Sequence, residues 1–181
     1  SIRRQRQMCI RDRYCPRCGG PLAPRRFHGE RVTHPACQRC GFILWQNPKP
    51  VVAALVTRQD EAQARVLLGR RGLEPGRGLW HVPGGFVDPD ETPEEALARE
   101  CAEELGVQVE PEEFVGGFPD RYGDEPILVL AYRCRLVGGE PEGSTELDQP
   151  TWFPVNRPPQ LAFRSCQLAL QVLLRKLQGG G

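Results

Sequence analysis

A chain of 181 residues, 39% hydrophobic and 26% charged, has material for one ordinary domain and a small appendage. Its formal net charge of +1 points neither to a generic nucleic-acid binder nor to an acidic tail. No apolar run approaches the roughly 18 residues of a membrane span, so no membrane partner is expected.

In chain order, residues 1–13, "SIRRQRQMCIRDR", carry charge without periodicity and lack the apolar stretch of a signal peptide. They read as a disordered or non-native leader, with Met8 or an upstream Met as the true start. The competing reading is a basic arm for an anionic partner.

Residues 14–47 hold "CPRCGG" and "CQRCGF", two C-x-x-C pairs separated by eighteen residues. That spacing predicts a zinc site of four thiolates, Cys15, Cys18, Cys37 and Cys40. Gly19 and Gly41 let backbone amides turn toward the sulfurs. Four sulfurs close a tetrahedral shell, which leaves His28 and His34 as spare ligands and no open position for catalysis. A piece this short cannot hold itself together by burial alone, whereas zinc contributes on the order of 10 kcal/mol to folding such a module. The expected role is a structural staple. Arg25, Arg26 and Arg31 keep a nucleic-acid contact open as the second reading. Cys9, Cys101, Cys134 and Cys166 are expected to pack as small apolar groups. Clustered thiols that bind metal suit a reducing, cytoplasmic setting.

After the Pro-rich joint "WQNPKP" the pattern changes. "VVAALVT" (51–57) and "ARVLLGRR" (64–71) read as buried strands around a polar turn. "LEPGRGLWHVPGGFVD" reads as a loop with one short extended piece at Trp80. "TPEEALARECAEELG" then carries every local mark of a helix. Thr92 is the N-cap, Pro93 stands at the first helical position, Glu95 completes a capping box and Gly106 stops the helix. The apolar seam is Leu97, Cys101 and Leu105. Further on, "FVGGFPD" and "PILVLAYRCRL" read as strands. "TWFPV" leads to a last helix near "PQLAFRSCQLALQVLLRKLQ", with Leu168, Val172 and Leu173 as its core face.

The helix poses an electrostatic question. Steps of about 100° per residue put Glu100, Glu103 and Glu104 on one arc beside the apolar seam, with Arg99 alongside. In water the repulsion costs only a few tenths of a kcal/mol, so a solvated acidic face is not excluded by energy. The longer frame decides. Residues 85–107 fit G-x5-E-x7-R-E-U-x-E-E-x-G-U, where U is apolar, through Gly85, Glu91, Arg99, Glu100, Cys101, Glu103, Glu104, Gly106 and Val107. Seven fixed matches arise by chance in roughly one window in 10⁸. Cys101 fills the first apolar position.

On these residues the chain from about Pro48 to Gln178 resembles the Nudix hydrolases. The resemblance implies an α/β fold, an α/β/α sandwich with a mixed sheet, here preceded by a small zinc ribbon. It implies metal-dependent hydrolysis of the pyrophosphate bond in a nucleoside diphosphate linked to another moiety. By resemblance, Mg²⁺ or Mn²⁺ is held by Glu100, Glu103 and Glu104, with a backbone carbonyl of Gly84 or Gly85. Arg99 orients the glutamates and Glu91 ties down the loop. A further acid is expected from a later loop: Glu146 is the candidate, against Asp124, Glu125 and the plain alternative of a solvated loop acid. Arg70 is favoured over Arg71 for gripping phosphate, because strand alternation aims only one of them inward. Phe118 or Tyr122 is a candidate to stack on a substrate ring, or else a core residue.

A zinc ribbon before this domain resembles NADH and related dinucleotide pyrophosphatases. NADH-specific members carry a Ser-Gln-Pro-Trp-rich stretch after the box, where this chain has "GGFPDRYGDEP". ADP-ribose, FAD and NADH stay open as substrates, with ADP-ribose-like compounds first. A nucleotide sensor, an RNA-binding module and an RNA-decapping pyrophosphatase are the alternatives, and a homodimer is left open.

Overall fold

The computed structural model describes residues 13–45, 47–60 and 63–179. All of the leader but Arg13 lies outside the described residues, as does Cys9. The chain forms two compact units that meet in sequence between Asn47 and Pro48.

The first unit is a two-stranded antiparallel hairpin, β1 (Leu22–Arg26) and β2 (Thr33–Cys37), with Leu22 opposite Cys37 and Arg26 opposite Thr33. The two C-x-x-C turns flank it. Gly19 and Gly41 adopt left-handed backbone, φ 68° and 72°, and their amides donate to the carbonyls of Cys15 and Cys37.

The second unit is built on a mixed sheet. Its strands are β3 (Lys49–Gln59), β4 (Ala64–Arg71), β5 (Trp80–His81), β6 (Gln108–Tyr122), β7 (Glu125–Gly138) and β8 (Leu147–Pro154). The spatial order is β5-β4-β3-β7-β6, with β8 also paired to β4. β3 and β7 run parallel, and the other pairings are antiparallel. Alternation on β3 sends Ala53 and Leu55 to one face of the sheet and Val52, Ala54 and Val56 to the other.

Helix α1 (Pro93–Leu105) covers the Val52 face with Ala96, Leu97, Cys101 and Leu105, and α2 (Arg164–Gly179) covers the Leu55 face. This is an α/β/α sandwich. The expected ends of α1 hold: Thr92 Oγ1 accepts from the Glu95 amide, Glu95 Oε2 accepts from the Thr92 amide, and Gly106 is left-handed.

Two readings need correction. The buried face of α2 is Cys166, Ala169, Leu170 and Leu173, with Leu168 and Val172 only partly buried. Small Cys and Ala side chains let the helix lie close to the sheet, so they, and not the bulkier Leu168, take the seam. β6 also begins at Gln108, six residues before the apolar signal at Phe114, because its acidic start is paired across to β7 by Arg133 with Glu112 and Arg135 with Glu110 and Glu112.

Candidate active site and metal centre

The loop from β5 to α1 is pinned to the sheet by its backbone. The Val52 and Ala54 amides donate to the carbonyls of Gly85 and Pro83, at 2.8 and 2.9 Å. A Cβ at Gly84 would meet the Val52 carbonyl oxygen at 2.1 Å, and one at Gly85 would meet Glu100 Oε1 at 2.3 Å. Only glycine lets the loop pass between strand and helix there. That passage brings the Gly84 amide to Glu104 Oε2, at 2.8 Å.

Arg99 gathers the acids around itself. Its Nε and Nη2 donate to the two oxygens of Glu91, both at 2.9 Å. Its Nη1 donates to Glu100 Oε1 at 2.8 Å and Glu103 Oε2 at 3.2 Å, and its Nη2 also reaches the Phe86 carbonyl at 3.1 Å. Glu91 also accepts from the Asp88 amide and so holds the loop as expected. Hydrogen bonds from Arg99 pull the Glu91 carboxyl below its usual range.

The other acids are driven the opposite way. Burial pushes Glu104 up to about 8, against the pull of the Gly84 amide, and the charges of Glu100 and Glu146 add to the rise. Burial also raises Glu100, partly offset by Arg99. Glu103 stays exposed.

Glu146 joins the cluster from the loop before β8. The Gly72 amide fixes its carbonyl at 2.9 Å. With Glu100, Glu103, Glu104, Ser144 and Thr145 it lines a cavity of about 140 Å³. Asp124 and Glu125 sit at the β6–β7 turn instead, where Glu125 pairs with Lys49 at 3.1 Å.

Of the two arginines, Arg71 is the one whose charge is felt at Glu104. It lies over Phe163 at 5.0 Å, while Arg70 is exposed and lies over Trp80 at 5.6 Å. The pairing with β8 shifts between Leu68↔Thr151 and Arg70↔Asp148, so the extra residue lies on β8 and the alternation along β4 is kept.

Tyr122 belongs to an aromatic cluster. It stacks with Phe163 at 6.2 Å, meets Phe86 edge-on at 5.8 Å and donates to the Glu74 carbonyl at 3.2 Å. Phe118 is partly buried against the core on the α2 side of the sheet. Phe86 and Phe163 escape sequence reasoning, since residues far apart in the chain build the cluster. The signal that points to Phe86 is its place directly after the two glycines.

The first unit carries a different donor set. Among the described residues, the four sulfurs form the only group of three or more Cys, His or carboxylate ligand atoms within 4.8 Å of one another. Cys15 and Cys40 sulfurs are 3.6 Å apart, and those of Cys18 and Cys37 3.5 Å. A zinc tetrahedron with Zn–S of about 2.3 Å has sulfur–sulfur edges of about 3.8 Å, so the cluster fits. Amides of Arg17 and Arg39 donate to Cys15 and Cys37 at 3.4 Å, and backbone donors led by the Cys40 amide pull the Cys37 thiol down. Cys101, Cys134 and Cys166 are buried apart from this cluster.

Comparison with known proteins agrees with this architecture. Residues 47–169 match the NUDIX domain family, and the chain belongs to it. It is 32% identical to the NAD-capped RNA hydrolase NudC of Stutzerimonas stutzeri over 84% of this chain and 51% of that protein. It is 35% identical to a MutT-like protein of Streptomyces ambofaciens, over 72% of this chain and 77% of that one. It is 30% identical to an ADP-ribose pyrophosphatase of Methanocaldococcus jannaschii, over 67% and 71%. The chain spans about half the length of the NudC relatives it matches. Among solved structures, a NUDIX hydrolase from Nitrosomonas europaea superposes with a TM-score of 0.75 at 26% identity, over 93% of each chain. No helix among the described residues is long and apolar enough to cross a membrane.

Proposed function

We propose that this chain hydrolyses the pyrophosphate bond of a nucleoside diphosphate linked to another moiety, of the ADP-ribose, FAD or NADH class, and releases a nucleoside monophosphate. The observation that carries the reading is the acid cluster: Glu100, Glu103, Glu104 and Glu146 around one cavity, disciplined by Arg99. A solvated acidic face would not bury Glu104 to 8% exposure or drive its carboxyl upward. Oxygen donors in this state suit a hard divalent cation such as Mg²⁺ or Mn²⁺.

Glu100, Glu103 and Glu104 would hold that cation, together with the Gly84 carbonyl, since the Gly85 carbonyl already serves the Val52 amide. Bound there, it supplies neutralisation of the phosphate oxygens and a lowered pKa for an attacking water. Arg99 keeps Glu100 and Glu103 in place, and Glu146 at the cavity rim accepts the proton. Arg71 grips phosphate, with Arg70 as the weaker candidate. Tyr122, and less directly Phe118, face the ring of the substrate, with Phe86 beside Tyr122. Residues 14–47 form a zinc ribbon that zinc staples, ahead of a hydrolase domain at 48–178. Free thiols among the described residues suit a cytoplasmic setting.

The names of the relatives also bring in capped RNA as a substrate. A screen of ADP-ribose, NADH, FAD and NAD-capped RNA with Mg²⁺ or Mn²⁺, reading out AMP or, for the RNA, a 5′-monophosphate end, separates these. AMP from a small dinucleotide supports the reading; no product from any of the four moves the chain to the sensor alternative.

A further inference from the structure

The net charge of +1 conceals a division. Residues 13–47 contain six arginines and a single acid, Glu30, whereas residues 48–181 contain 14 basic and 21 acidic side chains. All six of these arginines are exposed, and Glu30 is engaged by His34, whose Nε2 lies 3.0 Å from its carboxylate. Four thiolates around a zinc dication would return two negative charges, so an excess of about three positive charges remains on this small unit. Among the described residues of the unit no further acid offsets it.

The same unit exposes aromatic surface. Trp45 is 50% exposed, although a module with so little core has every reason to bury an indole. Its ring packs on Phe27 at 5.7 Å and edge-on to buried His34 at 4.8 Å, which props the indole with one side toward water. The Arg25 guanidinium lies 5.2 Å over the Phe27 ring. Arg26 and Arg31 are tied together by a 3.2 Å hydrogen bond at the hairpin tip. A row of Arg25, Phe27 and Trp45 thus offers planar groups, with further cations beside them.

We infer that this face of the first unit binds a nucleic-acid single strand, with a base on Trp45 and phosphates on Arg25, Arg26 and Arg31. The pairing of exposed rings with unneutralised arginines is what a single strand needs, because its bases are free to stack while its phosphates demand charge. A duplex would use only the charge, and an acidic peptide would leave the rings idle. The inference does not rest on hydrolysis by the second unit.

The test uses the full, zinc-loaded chain and a fluorescein-labelled 12-nucleotide RNA, followed by anisotropy across a salt series. Binding should weaken with salt, and R25Q/R26Q/R31Q should reduce the magnitude of the log–log salt slope by about 2. Trp45→Ala should weaken binding by about 5- to 100-fold, with Trp45→Phe restoring most of it. Zinc content and circular dichroism of each variant are read alongside, and the arginine variants, all at exposed positions, serve if Trp45→Ala unfolds the unit. The proposal is overturned by any of four results: no binding at 50 mM salt, an unchanged slope in the arginine variant, equal affinity for duplex RNA, or equal displacement by polyglutamate.

Discussion

The chain holds two clusters of acidic ligands that differ in almost every physical respect. In the first unit, four soft sulfurs converge within 4.8 Å of one another in a piece with little core. In the second, carboxylates stand around an open cavity of about 140 Å³, held apart by Arg99 and backed by two buried layers. The contrast teaches that a cluster's job can be read from what supports it. Where the fold depends on the cluster, the cluster is a staple; where a complete core stands behind it, the cluster is free to do chemistry.

The largest expected effect breaks the first half of that contrast. Stripping zinc with a strong chelator should remove on the order of 10 kcal/mol of folding free energy from residues 14–47. Segment-resolved amide exchange should then show those residues unprotected and residues 93–105 unchanged. Protection that survives chelation in 14–47 would refute the staple.

A smaller effect probes the core behind the carboxylates. His81 is buried and held down to about 3, chiefly by desolvation and then by the charge of Arg71. As pH falls below about 6.5 the unfolded chain takes up a proton that the folded chain refuses. Stability is therefore full above 6.5 and declines by up to about 1.4 kcal/mol per pH unit on the way to pH 3. His81→Gln should flatten that acid limb in urea melts. An identical pH profile would mean that His81 is not held neutral.

Arg99→Gln comes next. It should cost about 10- to 100-fold in turnover of the substrate found by the screen, because the residue positions the acids and need not touch phosphate. Arg99→Lys, which keeps the charge and loses the fork, should recover little. Full recovery by Lys would show that charge alone matters. The smallest effect is at the helix end, where Thr92→Ala should lower the stability of the second unit by about 1 kcal/mol without altering metal affinity.

Much of this was legible in the sequence where the signal is local. Thr92, Pro93, Glu95 and Gly106 mark α1 because capping involves residues a few positions apart, and the C-x-x-C pairs and acid spacing are equally short-range. What escaped is long-range. The acidic start of β6 is a strand only because Arg133 and Arg135 of β7 answer it. Phe86, Tyr122 and Phe163 meet only once the sheet has formed. The charge division between the units was present in the residues, but averaging over the whole chain hid it.

The claim at the centre is that the α1 carboxylates hold a divalent cation. Manganese binding, counted by the electron paramagnetic resonance signal of the free ion, tests it on the parent and on Glu103→Gln, an exposed site where the change is isosteric. The account predicts that the parent depletes the free-ion signal and that the variant loses at least about tenfold in affinity with an unchanged thermal melt. Equal affinity in the two proteins would contradict it.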